Sequence, residues 1–367
     1  MTEFSRYIKR NSLSYKLGRL AADLFFAFVR KAVIIPKRNH DRILIISLHK
    51  LGDTVFTVPA IKAVKIKYGG RITVVCFEES KQIYQLVFDD LDYIVLKKDQ
   101  FYIDGRIASS KIKKRINELG ADYIIDLTGA INSASLIFNS KARRIAGFND
   151  EYFRKIYTDY IPRRSLPHLM DLYLDAVKLI IKVEDEEGLK HFGKSLNKDG
   201  YIVIHPFAGW KSKEWDFNKF IELYLILKET YRCKLILPAN RMNEEMISEL
   251  KIKNVSVFLS KKITDLINII KESSIVVGCD TGAVYIASLL GKPTMTIYGP
   301  TNPRYSLPYG DHHEYIYKEN KNTPKYDEQY GIGDAGRKAD KIDFMESISV
   351  DEVKNRIDSF YNKLFNN

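Results

Sequence analysis

Apolar residues recur along this chain in two rhythms. Short unbroken runs read as strands buried on both faces of a parallel sheet, and runs spaced three or four apart read as helices with one buried face. Residues 42–48 (RILIISL) are the first unbroken run. A polar loop, His49-Lys50-Leu51-Gly52-Asp53, leads from it into a helix running through residues 59–67. A strand at 71–77, a helix near 80–88 and a short strand at 93–96 follow, with further apolar runs at 123–127 and 144–145. Alternation on this scale predicts a doubly wound α/β domain over residues 41–181.

Residues 182–199 (KVEDEEGLKHFGKSLNKD) are charged and carry two glycines, so they predict a surface connection between domains. The alternation then restarts. Strands are predicted at 201–205, 234–237, 255–258, 275–277 and 294–297, with helices at 218–230, 243–250, 263–271 and 283–290. Residues 318–343 are polar and loop-like. Residues 350–365 form a terminal helix, with Val353, Ile357, Phe360 and Leu364 on one face. The expected order is a second Rossmann-like domain over 200–345, then a C-terminal helix over 346–367. Two open α/β domains facing across a cleft would bind ligands at the carboxyl ends of their strands. The informative residues should therefore lie in strand-to-helix loops.

Length agrees with two cores: 367 residues exceed one ordinary domain, and 45% apolar content excludes a disordered chain. Charge changes the picture more. The formal net charge is +12, and residues 1–40 alone carry nine Lys/Arg against two acids. A basic face on a folded domain, as nucleic-acid binding needs, is therefore not predicted. The basic segment holds an amphipathic helix at residues 13–35, with Leu13, Leu17, Leu20, Leu24 and Phe28 on one face. Two readings stand: an interfacial helix lying on anionic lipid, or a helix packed on its own domain or on a second subunit. The best apolar stretch, residues 21–29 broken only by Asp23, is far short of the roughly 18–20 residues a bilayer requires. Arg30-Lys31 interrupts it, so a signal peptide is not expected either. Three cysteines (Cys76, Cys233, Cys279) lie in or beside apolar runs, fitting free thiols in a reducing cytoplasm.

Three loops carry candidate chemistry. In the first, Gly52 permits a tight turn, and Asp53 stands just before a helix. Asp53 reads either as the helix cap or as a general base for a hydroxyl nucleophile. The second, His205-Pro206-Phe207-Ala208-Gly209-Trp210-Lys211-Ser212-Lys213-Glu214-Trp215, follows a strand. Its small Ala208 and Gly209 leave backbone N–H groups available and two lysines follow, which suits a diphosphate. The third, Gly278-Cys279-Asp280-Thr281-Gly282-Ala283, places small residues and a hydroxyl at a helix N-terminus, another anion-friendly end. Capping by Asp280 or Thr281 is the plain alternative. Two anion-friendly loops in one domain point to nucleotide binding.

Two motif matches are set aside. Residues 331–336 (GIGDAG) satisfy the GxGxxG pattern without the flanking strand and helix that a dinucleotide site requires. Asp90-Leu91-Asp92 satisfies an Asp-x-Asp pattern but sits in a polar turn.

At these same loops the chain resembles the family 9 glycosyltransferases, the group containing the lipopolysaccharide heptosyltransferases. The resemblance is carried by ILIISLHKLGDTVFTVPAIKA (43–63), YIIDLTGAINSAS (123–135), ARRIAGF (142–148), the 205–215 loop, GCDTGAVYIASLLGKPTMTIYGPTNP (278–303) and MESISVDEV (345–353). It implies a two-domain GT-B fold and inverting, metal-independent transfer of a sugar, heptose or related. The donor would be a nucleotide-sugar, ADP-heptose among the candidates, and the acceptor a lipid-linked glycan of the cell surface. It implies no cofactor and a cytoplasmic location, peripheral at the inner membrane face.

Carried over by motif, Asp53 is the general base, Lys213 contacts the donor diphosphate, and Asp280, Thr281 and Gly282 line the phosphate and sugar site. Gly209 and Tyr285 fall on the donor side, and Gly52, Thr128 and Asn132 on the acceptor side. The chain departs from the family in having Tyr285 where His is usual and Thr128 where Gln is common. Residues 238–244 (PANRMNE) match the nucleoside loop loosely, and the family's C-terminal cysteines are missing around 325–345. The competing expectation is a non-catalytic nucleotide- or glycan-binding scaffold with the same fold.

Overall fold

The computed structural model describes residues 13–33, 35, 41–102, 106–148, 151–162, 164, 167–319, 321, 323 and 343–366. The GxGxxG match at 331–336 and most of the polar 318–343 stretch lie outside them. The chain divides into two compact units between Lys190 and His191, inside the charged segment expected as a connection.

The first unit is built on a six-stranded, all-parallel sheet: β1 (Ile43–Ser47), β2 (Ile72–Phe77), β3 (Asp92–Leu96), β6 (Tyr123–Asp126), β7 (Arg144–Gly147) and β8 (Asp159–Tyr160), in the order β3-β2-β1-β6-β7-β8. A small antiparallel pair, β4 (Phe101–Tyr102) and β5 (Ile107–Ala108), stands apart from it. All five β1 residues are buried, which explains why that strand is an unbroken apolar run rather than an alternating one. Helices α2 (Leu51–Tyr68), α3 (Glu78–Tyr84), α4 (Ser110–Glu118), α5 (Ile131–Ile137), α6 (Leu169–Lys178) and α7 (Glu186–Lys190) complete the unit after an N-terminal α1 (Leu13–Ala32). The charged 182–199 segment is not all loose surface. Lys190 ends α7 buried, paired with Asp171 at 2.6 Å and Glu187 at 2.7 Å.

The second unit repeats the plan with β9 (Tyr201–His205), β10 (Cys233–Pro238), β11 (Val257–Ser260), β12 (Ser273–Cys279), β13 (Thr294–Tyr298) and β14 (His313–Tyr317), ordered β11-β10-β9-β12-β13-β14 and all parallel. Its helices are α8 (Phe217–Leu227), α9 (Glu244–Ile252), α10 (Ile263–Lys271), α11 (Gly282–Leu289) and α12 (Val350–Phe365). The terminal helix is not a separate appendage. Val353, Ile357 and Phe360 enter the same core as Trp215 and Phe220, and Trp215 Nε1 donates to the Ile348 carbonyl at 3.2 Å.

In each unit the strand order reverses beside the first strand: between β1 and β6, and between β9 and β12. Loops leaving adjacent strands diverge at such a point and open a crevice. The 49–53, 205–215 and 278–283 loops all sit at these reversals.

Of the two readings of helix α1, packing on its own domain is observed, although through a different face from its most apolar stripe. It packs on its own unit, with Phe26 against Phe138 and Arg30 donating to the Ser140 carbonyl at 2.6 Å. The face it turns inward carries the half-buried Gly18, Ala22, Phe26 and Val29. Leu17, Leu20, Leu24 and Phe28, the stripe that periodicity picks out, are 56–72% exposed. All three cysteines are free, and burial pushes each thiol up to about 12.

The turn after β6 depends on one glycine. Gly129 has φ +59, and a Cβ there would lie 2.2 Å from the Phe148 carbonyl oxygen. Both the left-handed backbone and the carbonyl oppose any side chain. Gly129→Ala is expected to cost about 2 kcal/mol or more, read as a lowered thermal unfolding temperature; an unchanged transition would contradict this account of the turn.

Candidate functional site

In the second unit, the loop after β9 and the end of β12 are stitched together. Trp215 N donates to Cys279 Sγ at 3.2 Å, which brings the lysine-bearing loop against the Asp280 segment. Lys213 Nζ then lies 2.5 Å from Asp280 Oδ2 and 4.9 Å from the Trp210 ring centroid. Tyr285, one turn into α11, donates its hydroxyl to the other oxygen, Oδ1. Asp280 is thus held from both sides in a buried position. Burial pushes its carboxyl upward, but the Lys213 charge and the hydrogen bonds from Lys213 and Tyr285 outweigh this and leave it below the usual range. Burial and the Asp280 charge raise the Tyr285 phenol far above its ordinary value, so it remains a donor.

Neither capping alternative holds for this loop. Thr281 is the N-cap residue of α11 by position, yet its side chain accepts nothing from the helix, and its buried Oγ1 has no partner among the described residues. Asp280 is engaged by Lys213 and Tyr285. The first helical N–H groups, beginning at Gly282, therefore point out of a helix start whose hydroxyl is unspent. A lysine ammonium stands on the neighbouring loop. This is the arrangement an anionic diphosphate needs: partial positive charge from the helix, a hydroxyl donor and a full cation.

Sequence reasoning missed the group that shapes the loop. Glu214, its side chain 2% exposed, accepts from Ala208 N at 3.0 Å and pairs with Arg241 at 2.6 Å and Lys211 at 3.2 Å. Arg241 also stands 4.2 Å over the Phe207 ring, so the short turn after β10 is tied to the loop after β9. The signal available was a lone acid among lysines. Gly209 adds no left-handed turn, and a Cβ there would meet nothing within 4 Å. Its contribution is open space at the loop tip.

In the first unit, the 49–53 stretch is not a loop leading into a helix. Helix α2 already begins at Leu51, with the Lys50 carbonyl accepting from Thr54 N at 2.9 Å. Gly52 lies in the first turn without a positive φ, so its conformational freedom is unused; it supplies a bare backbone beside Asp53. Asp53 is the third helical residue. It does not cap: the N-cap is Lys50, and the half-buried Asp53 carboxylate has no hydrogen-bond or ion-pair partner among the described residues. A carboxylate left free in the first turn of a helix is available to accept a proton.

Half-buried Thr128 is engaged in local hydrogen bonds. Its Oγ1 accepts from Leu48 N at 2.8 Å, and its own N donates to the buried Asp126 at 2.9 Å. It ties the loop after β6 to the loop after β1. Asn132 Oδ1 accepts from Ser133 N at 2.9 Å, another local brace. Asp90 pairs with Lys65, in keeping with the turn reading of the Asp-x-Asp match.

Comparison with known proteins bears on these sites. The family model for glycosyltransferase family 9 (heptosyltransferase) matches residues 109–333, more than half of the chain. The chain belongs to glycosyltransferase family 9. Lipopolysaccharide heptosyltransferase 1 of Pseudomonas aeruginosa is 22% identical over 214 residues, spanning 54% of this chain and 60% of that protein. Among solved structures, the family 9 glycosyl transferase from Veillonella parvula aligns with a TM-score of 0.69 at 19% identity, covering 89% of this chain and 98% of that one. The E. coli heptosyltransferase WaaC with ADP-2-deoxy-2-fluoro heptose aligns at 0.64 and 20% identity, covering 87% and 99%. These likenesses establish a shared GT-B-type fold over both units.

In this family 9 member, Tyr285 supplies the Asp280 contact at the position where the motif usually carries His. Asp280 is held low in the folded state, so its stabilisation is complete at neutral pH and lost as pH falls through its folded pKa. Tyr285→Phe removes one hydrogen bond to a charged group, worth about 1.5–3 kcal/mol, and raises that pKa. The acid limb of the unfolding temperature against pH is expected to begin at higher pH than in the wild type. An acid limb that does not move would separate Tyr285 from Asp280.

Proposed function

We propose that the protein is an inverting, metal-independent glycosyltransferase that moves a heptose or related sugar from a nucleotide-sugar, ADP-heptose being the leading candidate, to a hydroxyl of a lipopolysaccharide-core or other lipid-linked surface glycan. The observation that carries the reading is the Lys213–Asp280–Tyr285 assembly beside the unspent hydroxyl and N–H groups at the start of α11. Membership of family 9 supports the reaction class. The ligand named with the E. coli WaaC structure, an ADP-heptose analogue, supports the donor class.

The chemistry follows from charge movement. Asp53 takes the acceptor proton as the oxygen attacks the anomeric carbon from the face opposite the diphosphate. The new carbon–oxygen bond forms while the bond to the diphosphate breaks, and the departing nucleoside diphosphate carries off the electron pair. Its growing negative charge is met by the Lys213 ammonium and the α11 N-terminus, which are oriented before the reaction begins. In this reading those two groups do the work for which other transferases use a cation. The three free thiols support a cytoplasmic location, and the basic N-terminal segment supports a peripheral one at the inner membrane face.

A positioned base contributes about 10²–10⁴-fold to rate. Asp53→Asn is expected to lose transfer activity on that scale while retaining donor affinity, checked by product formation and by calorimetric titration of the sugar nucleotide. Full turnover by Asp53→Asn would remove the base role. A wild-type protein that binds sugar nucleotides and transfers none of them would favour the scaffold reading instead.

A further inference from the structure

Helix α1 holds its place with its less apolar side. Gly18, Ala22, Phe26 and Val29 turn toward the first unit, and Arg30 is anchored on the Ser140 and Ala142 carbonyls. The richer stripe, Leu17, Leu20, Leu24 and Phe28 with Phe25 beside it, points away and stands 55–72% exposed. These residues recur every three or four positions along more than three turns, so they form one continuous ridge. Scattered exposed leucines need no explanation, but a ridge of this length marks a contact surface.

The charge around the ridge identifies the partner. Lys16 and Lys31 are exposed on the helix itself. The segments against which α1 packs add exposed Lys141, between its two carbonyl anchors, and Arg154 and Lys155, on the 3-10 turn Glu151–Ile156. The one acid of the helix, Asp23, is half-buried. A second copy of the chain would bring a like-charged collar against this one, which costs energy. An anionic lipid surface would pair with the collar while its acyl region takes the ridge. The helix, 20 residues long, is not apolar enough to cross a bilayer, so it would lie in the interface plane.

We infer that the outward face of α1, Leu17-Leu20-Leu24-Phe28 with its cationic rim, is a membrane-docking surface that seats the first unit on anionic lipid. This deepens the peripheral location proposed above by assigning it to one rigid face. It does not depend on the transfer chemistry, which can be assayed separately on a soluble acceptor.

The test is flotation of the full-length protein with two vesicle compositions: phosphatidylglycerol mixed with phosphatidylethanolamine, and phosphatidylcholine alone. Wild type is expected to float with the anionic vesicles and not with the neutral ones. Leu20→Glu/Leu24→Glu should lower the floated fraction at least tenfold. Arg154→Glu/Lys155→Glu should lower it less and make what remains less sensitive to salt, since Lys16, Lys31 and Lys141 are kept. All four side chains are exposed, so unchanged thermal unfolding of the variants verifies that the fold is intact. Absence of wild-type flotation, or equal flotation of the Leu20→Glu/Leu24→Glu variant, would overturn the inference. So would a wild-type dimer that this variant converts to a monomer, since the ridge would then be covered by a second copy.

Discussion

The contact between Lys213 and Asp280 joins two strand ends that chain order separates by 67 positions. Each group without the other would be an expensive resident of a largely buried site. Together they are satisfied, and Tyr285 takes the remaining carboxylate oxygen. The consequence is that the ammonium is fixed at the mouth of a helix start rather than swinging on a flexible stem. A lysine on a solvated loop attracts any anion weakly. A lysine pinned beside the N-terminus of α11 and the Thr281 hydroxyl would, in the proposed reading, form a place for a diphosphate. Glu214 and Arg241 do the same service one layer out, by holding the loop that carries Lys213.

The two parallel sheets explain why such contacts are available at all. In each unit the strand order reverses next to the first strand, and loops leaving neighbouring strands diverge there. The apolar runs that announce the strands also announce where their loops must emerge. The placement of Asp53, Lys213 and Asp280 beyond strand ends was legible for that reason, since each follows a strand that could be read from an unbroken hydrophobic run; their roles came from the family resemblance. Tyr285 was placed on the donor side through the family resemblance alone, and Glu214 was not singled out; tertiary contact is what ties Tyr285 to Asp280 and Glu214 to the loop that carries Lys213.

Other misses have local causes. Gly52 reads as the site of a tight turn, yet the Lys50 carbonyl starts α2 ahead of it, and Asp53 becomes a first-turn carboxylate instead of a cap. Strand β14 (HEYIY) was invisible because an edge strand with alternating polar residues looks like loop. Helix α6 went unplaced although its buried Leu172, Tyr173, Leu174, Ala176 and Val177 make it part of the first core. Helix α1 was legible as an amphipathic helix, but periodicity left open what its apolar stripe meets. Packing on the first unit uses small residues and one phenylalanine, and the stripe itself stays exposed.

The account stands or falls on whether the second unit grips a diphosphate through Lys213. The direct measurement is calorimetric titration of a nucleoside diphosphate and its monophosphate, the base chosen as the one giving the largest thermal shift, into wild type and Lys213→Gln. Wild type should prefer the diphosphate, and the substitution should weaken diphosphate binding about 10- to 100-fold while leaving the monophosphate nearly unchanged. Equal losses for both ligands, or no loss at all, would contradict it.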